Sequence, residues 1–167
     1  MEEITVEELN NCRKAEFVET LGQIYEHSSW VAEAAWSDSP FESVEELQDC
    51  MQRVVDNASR DKKRELLLAH PDLGDQTEIT DRSQKEQESA GLDDLSPSQY
   101  EEFQRLNETY REKFSFPFIM AVKGQSPNDI QDAMESRISN SEAEEFRDAI
   151  AEVHAIAEIR INELVVS

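Results

Sequence analysis

Four short signals of one kind recur along this chain and limit what it can fold into. Thr5-Val6-Glu7-Glu8, Ser43-Val44-Glu45-Glu46, Ser96-Pro97-Ser98-Gln99 and Ser126-Pro127-Asn128-Asp129 each set a hydroxyl three residues ahead of an acid or amide. The hydroxyl can accept from a free N–H of a first helical turn, and the later side chain can answer it, so each signal opens a helix. Proline suits the first helical position in two of them, because its missing N–H would have no partner there. Only four glycines and five prolines interrupt a chain of 167 residues rich in good helix formers. The expected fold is all-α, a single-domain helical bundle of about eight to nine helices spanning residues 1–167, long enough to bury a core without disulfides or metal.

The apolar spacing agrees with those starts. The first signal opens a short helix to about Asn11; Ala15 to Leu21 follows, with Gly22 as its C′ stop. Trp30 to Trp36 forms a helix whose two tryptophans read as core. In the helix after Ser43, the residues Val44, Leu47, Met51, Val54 and Val55 share a face. Phe103, Leu106, Asn107 and Tyr110 do so in the helix running to about Phe114. A helix through Ile138 follows the fourth signal, and the last carries Phe146, Ala149, Ile150, Val153, Ile156, Ala157, Arg160 and Leu164 at helical intervals.

Sixteen basic residues, only six of them Lys, face 38 acidic ones, for a formal charge of −22. That charge repels nucleic acid and anionic membranes. The acids lie on every expected helix instead of in one tail, which fits a surface adapted to high salt, where screening removes much of the self-repulsion. Cys12 and Cys50 stand alone, without metal-ligand spacing, and read as buried thiols. No apolar run approaches 18 residues, no export signal is present, and Val165-Val166-Ser167 is no peroxisomal address, so the expected place is the cytoplasm.

Four features carry candidate chemistry. His70 ends the helix from Arg60 to Ala69, because Pro71 lacks an N–H and turns the preceding residue away from the helical region. An imidazole there can give and take a proton near neutral pH, or can simply cap the helix. Among the three histidines, it alone is placed at such a break. The helix from Asp81 to Ala90, closed by Gly91, has almost no apolar stripe, yet Ser83, Glu86 and Gln87 share one face suited to a small polar molecule; solvation alone would also explain it. Phe114 to Gly124 is the most apolar stretch, and Pro117 and Gly124 make it an extended buried segment. Its backbone groups need partners, from a ligand or from neighbouring helix ends and water. Arg160 lies inside the last helix's apolar stripe and must be paired, by a protein carboxylate or by a substrate's. His154, at the flank of that stripe, reads as structural.

Tyr25-Glu26-His27-Ser28-Ser29-Trp30-Val31-Ala32-Glu33, His70-Pro71-Asp72-Leu73, Ser83-Gln84-Lys85-Glu86-Gln87, Gly91-Leu92, Leu106-Asn107, Tyr110, Phe114 to Val122 and Ile159-Arg160, taken in order, resemble one family. It is the 2-oxo-4-hydroxy-4-carboxy-5-ureidoimidazoline (OHCU) decarboxylase family of uric acid breakdown. The resemblance covers nearly the whole chain. It departs at Ser29, where the family usually has proline, and at Gly74-Asp75-Gln76.

The resemblance implies an all-helical, cytoplasmic homodimer without metal or organic cofactor. Its substrate would be the small carboxylate formed by hydrolysis of 5-hydroxyisourate, which it would convert to (S)-allantoin and carbon dioxide. It implies His70 and Glu86 as catalytic residues. Pro71, Ser83, Gln87, Phe118, Ile119, Met120, Ala121, Val122 and Arg160 would bind the substrate. Two rivals remain: an acidic helical module that binds a basic protein without catalysis, and a hydrolase of a related ureido compound with Glu86 as base.

Overall fold

In a computed structural model of the chain, the described residues are 3–70, 72–73, 81–92 and 94–166, with 81–84 described as backbone only. They contain nine α-helices and one two-stranded pairing. The helices are α1 (Val6–Asn11), α2 (Lys14–Leu21), α3 (Trp30–Ala35), α4 (Val44–Asp56), α5 (Arg60–Leu68), α6 (Asp81–Ser89), α7 (Pro97–Phe114), α8 (Pro127–Arg137) and α9 (Glu142–Leu164). The strands are β1 (Ile4–Thr5) and β2 (Val165–Val166). The mostly helical class expected from the sequence is found.

All four opening hydroxyls accept the N–H three residues on: Glu8 to Thr5 at 3.1 Å, Glu46 to Ser43 at 3.1 Å, Gln99 to Ser96 at 3.2 Å and Asp129 to Ser126 at 3.2 Å. The return bond is less regular. Glu8 and Asp129 reach back to the cap and complete a capping box. Glu46 instead accepts from the N–H of Glu42, and Gln99 donates to Asn128. A carboxylate or amide on a flexible stem takes whichever free partner is nearest, and spacing alone does not fix which.

The described chain falls into two compact units, one made of residues up to Ala69 together with His154 onward, the other of His70–Val153. In the first, Phe17, Leu21, Val31, Ala35, Leu47, Met51, Val55 and Leu66 are fully buried. Phe17 meets Trp36 edge-on and stacks with Phe41, whose backbone is held at both N–H and carbonyl by the Asn10 amide at 2.8 and 2.7 Å. Both tryptophans are only partly buried, and Lys62 lies over the Trp30 ring. Trp36 belongs to a short 3-10 turn after α3. Strand β1 pairs in parallel with β2, which the terminal valines did not announce because two residues show no periodicity.

Gly22 closes α2, but in the right-handed region and not as a left-handed C′ residue. Its need for glycine is steric, since a Cβ would stand 2.5 Å from the Val18 carbonyl oxygen. Cys50 is buried, with its thiol near Asp38 and pushed up to about 11 by burial and that carboxylate. Cys12 is only half-buried, a correction to the expectation for both. Among the described residues, no helix is long and apolar enough to cross a membrane.

The second unit is built on α7. Phe103, Leu106, Asn107, Tyr110 and Phe114 line its buried face, as their spacing predicts. Helix α6 ends in a six-residue loop-back: the Leu92 N–H donates to the Gln87 carbonyl at 2.9 Å and the Gly91 N–H to the Glu88 carbonyl at 3.0 Å. Gly91 holds φ +79°, the left-handed value that this ending requires. A Cβ there would meet nothing closer than 3.4 Å, so the obstacle to another residue is the backbone conformation itself. Gly91→Ala should lower the unfolding free energy by about 1–2 kcal/mol, read from the urea midpoint; an unchanged midpoint would show that this ending does not hold α6.

Candidate active site

His70 follows the α5 C-cap, Ala69, and is 7% exposed. Helix α5 closes there as the proline at 71 predicts, with the Ala69 N–H reaching the Glu65 carbonyl at 3.0 Å. His70 is not the only histidine at a break: His27 sits at a turn with φ +46°. His27, however, is exposed, and His70 is buried.

The residues after His70 are fastened to α7 at two points one helical turn apart. The Asn107 side-chain N–H donates to the Leu73 carbonyl at 2.9 Å, and the Arg111 Nε donates to the Asp72 carboxylate at 2.8 Å. Residues four apart lie on one face, so a single stretch of α7 carries both anchors. Asn107 pays for this, because its buried Oδ1 has no hydrogen-bond partner among the described residues. Leaving such an acceptor unmade costs about 1–3 kcal/mol, against about 1 kcal/mol returned by an ordinary bond.

On α6, Gln87 is buried and Glu86 is partly so. Both also make polar contacts. Ser83 lies on the same helix, and its side chain, like all of Pro71, is outside the described residues. The loop from Gly74 to Thr80 lies outside them too.

The aromatic segment is neither helix nor strand from Pro117 to Val122, in agreement with its proline. It begins as α7 ends, at Ser115, whose φ of +64° turns the chain back. Phe116, Phe118, Ile119 and Val122 are buried, while Met120 and Ala121 are half-buried. Tyr110 packs edge-on against both Phe116 and Phe118.

Part of the segment's backbone demand is met within the protein. Arg137 Nη1 donates to the Ile119 carbonyl at 2.8 Å, and its guanidinium covers the Phe118 ring at 4.5 Å. The same guanidinium donates to Glu145 at 2.8 Å, and Glu145 also accepts from Tyr110 Oη at 2.5 Å and Asn140 Nδ2 at 2.8 Å. Burial alone would push the Glu145 carboxyl up, but these donors outweigh it and hold it below the usual carboxylate range. The phenol of Tyr110 is pushed up by burial and by that carboxylate. Glu152, on the next turns of α9, is raised by burial, with the Arg137 charge and the Ala121 backbone pulling the other way. None of Tyr110, Arg137, Glu145 or Glu152 was singled out as a site residue from the sequence, because each falls at an ordinary helical position.

Arg160 belongs to the first unit. It is 1% exposed, and a protein carboxylate does pair it: Nη2 donates to Glu26 Oε2 at 3.3 Å, and Nη1 donates to the Gln23 carbonyl at 3.2 Å. Glu26 is equally buried. His154 is structural in the same unit, bonded to Tyr25 Oη at 2.9 Å and to Asp56 at 3.0 Å.

The family model described as OHCU decarboxylase matches residues 10–162. The chain belongs to the OHCU decarboxylase family. A family member from Haloferax volcanii, 2-oxo-4-hydroxy-4-carboxy-5-ureidoimidazoline decarboxylase, is 58% identical over 98% of this chain and 97% of its own. The protein of the same description from Xenopus laevis is 36% identical over 93% of this chain and 91% of its own. The crystal structure of (S)-allantoin synthase superposes with TM-score 0.79 at 34% identity, covering 96% of this chain and 54% of that longer one. An OHCU decarboxylase crystallised in the presence of (S)-allantoin shares the fold, with TM-score 0.72 over 84% of this chain and 94% of that one, at 24% identity. A second close relative, 55% identical over 99% of this chain and 94% of its own, comes from Halalkalicoccus jeotgali. Together with the Haloferax protein, it agrees with the high-salt reading of the acid excess. Membership makes this chain a carboxy-lyase.

The Glu145 carboxyl gives a prediction with a definite sign. Its folded pKa is depressed, so its ionisation stabilises the protein above the unfolded value near 4.3 and that contribution fades as pH falls through the folded value. Glu145→Gln should cost about 3 kcal/mol at pH 7, and the gap to the parent should narrow as the solution is acidified below about pH 4.3. Urea unfolding between about pH 3.5 and 7 checks this; a gap that widens on acidification would reverse the assigned sign.

Proposed function

We propose that this decarboxylase converts 2-oxo-4-hydroxy-4-carboxy-5-ureidoimidazoline to (S)-allantoin and carbon dioxide, with His70 as its acid–base group. The observation that carries the reading is the buried imidazole of His70 at a helix end whose following residues are tied to α7. A proton-transfer group needs a fixed position and limited access to water.

The substrate asks little of the protein. Its carboxylate sits on a ring carbon next to a C=N group. When the bond to the carboxylate breaks, the electron pair moves toward that group and leaves an enol-like intermediate. The ring nitrogen takes up one proton, the hydroxyl proton departs as the carbonyl forms, and one proton is delivered to the neighbouring ring carbon. In sum, one carbon dioxide leaves and one proton takes its place. Delivery from a single face yields a single enantiomer, and His70 either takes the hydroxyl proton or supplies the one on carbon.

Glu86 orients His70 in this reading and, with Ser83 and Gln87, contacts the ring and ureido groups. Backbone groups of Phe118 to Val122 and the ring of Pro71 line the substrate. The Arg160 guanidinium is assigned to the substrate's carboxylate or carbonyl oxygens on the family resemblance, and Glu26 would hold it when no substrate is bound. The working form is a cytoplasmic homodimer, with neither a polynucleotide nor a membrane as partner. The non-catalytic module is disfavoured by the family membership, and the hydrolase rival is separated by its product, ammonia in place of carbon dioxide.

The test follows freshly generated 5-hydroxyisourate by circular dichroism. The parent protein should speed formation of the (S)-allantoin signal, and His70→Ala should slow turnover by about 10²-fold or more while keeping the helical far-ultraviolet spectrum. A folded His70→Ala protein working at the parent rate would remove His70 from the chemistry. (S)-Allantoin should also raise the melting temperature, by mass action on the folded state; no shift at saturating concentrations would count against the substrate class.

A further inference from the structure

Asn107 stands out among the groups that the reaction does not use directly. It is buried, it sits on α7 in the second unit, and among the described residues its amide is used on one side only. The N–H side holds the Leu73 carbonyl, three residues after His70, and the oxygen side has no partner among the described residues. The bond that is made serves a buried backbone carbonyl, which would lose its donor if the amide were removed. A leucine would fill similar space and exchange the orphaned amide oxygen for an unpaired Leu73 carbonyl, so what the amide adds is a fixed hold on that backbone. Arg111, one turn further along α7, adds a second anchor on Asp72, which is nearer still to His70.

We propose that Asn107 is a positioning residue for the reaction, fixing the imidazole of His70 through the backbone at Leu73, with Arg111 and Asp72 as the outer fastening. The inference rests on the reading of His70 as the acid–base group. Two attachments, one on a backbone carbonyl and one on a side chain, restrain both translation and twist of the Asp72–Leu73 stretch that follows His70. Small displacements of a proton-transfer group are expensive in rate, because the reacting atoms must be aligned before the proton moves.

A positioning role has a signature that a packing role lacks. Asn107→Leu should lower kcat by about tenfold while KM stays within about twofold. Its melting temperature should change little, since the variant exchanges one orphaned acceptor, the amide oxygen, for another, the Leu73 carbonyl. In a His70→Ala background, the same substitution should have almost no further effect on rate, because the group it positions is gone. Arg111→Gln, at a more exposed position, should show a smaller fall in kcat that also disappears without His70, and it serves should Asn107→Leu not fold.

The outcomes separate cleanly. A rise in KM with kcat unchanged would make Asn107 a direct substrate contact and overturn the positioning role. An undiminished effect in the His70→Ala background would show that Asn107 acts on something other than His70, with the same result. Full activity in His70→Ala itself would instead fell the underlying reading of His70, whatever Asn107 does.

Discussion

A carboxylate with no access to water organises the second unit. Glu145 is 0% exposed, yet it stays ionised because Arg137, Tyr110 and Asn140 all donate to it. Those donors come from α8, α7 and the chain just ahead of α9, so one charge joins three helices. Removing a charge from water is costly unless its lone pairs are filled, and here they are. An apolar cluster would tolerate sliding of one helix past another, whereas this one has a single arrangement that satisfies every bond. Arg137 extends that arrangement to the aromatic segment through the Ile119 carbonyl and the Phe118 ring.

Helix α7 connects the two parts of the unit that the proposed chemistry needs. Tyr110 faces the carboxylate and the phenylalanines, while Asn107 and Arg111 hold the residues that follow His70. These three lie within four residues of one another. A rigid helix therefore sets the spacing between the aromatic segment and the Asp72–Leu73 stretch, and neither needs regular structure of its own. Irregular backbone is affordable near a functional site when regular backbone beside it supplies the partners.

The sequence is most informative where physics is local. Helix starts announce themselves through hydroxyls that fill free N–H groups, and the caps at Thr5, Ser43, Ser96 and Ser126 all form. The inward face of α7, the left-handed ending at Gly91 and the non-helical run around Pro117 follow from spacing, a missing Cβ and a missing N–H. Pairings between residues distant in sequence stay hidden. Nothing in the spacing of Arg137 and Glu145 says that they meet Tyr110, and nothing in Val165 or Ile4 says that they pair. Arg160 lies between these cases: its place on an apolar stripe demands a counter-charge, but only coordinates name Glu26. The proposed site residues stand out chiefly through their order along the chain, since His70, Glu86 and Gln87 taken singly are unremarkable in composition and position.

The first unit is interrupted in sequence, taking its last helical turns and β2 from residues beyond His154, and β1 finds its only described strand partner there. The second unit is continuous between those pieces. On a ribosome, the two therefore mature in an order opposite to their numbering. The inner unit has all its residues in hand while the outer one still lacks the segment that closes it, and the early-made Tyr25, Glu26 and β1 must wait for their partners there. Contacts that join distant residues form late, so the nascent chain's exposure to misassembly is greatest in the part that was synthesised first.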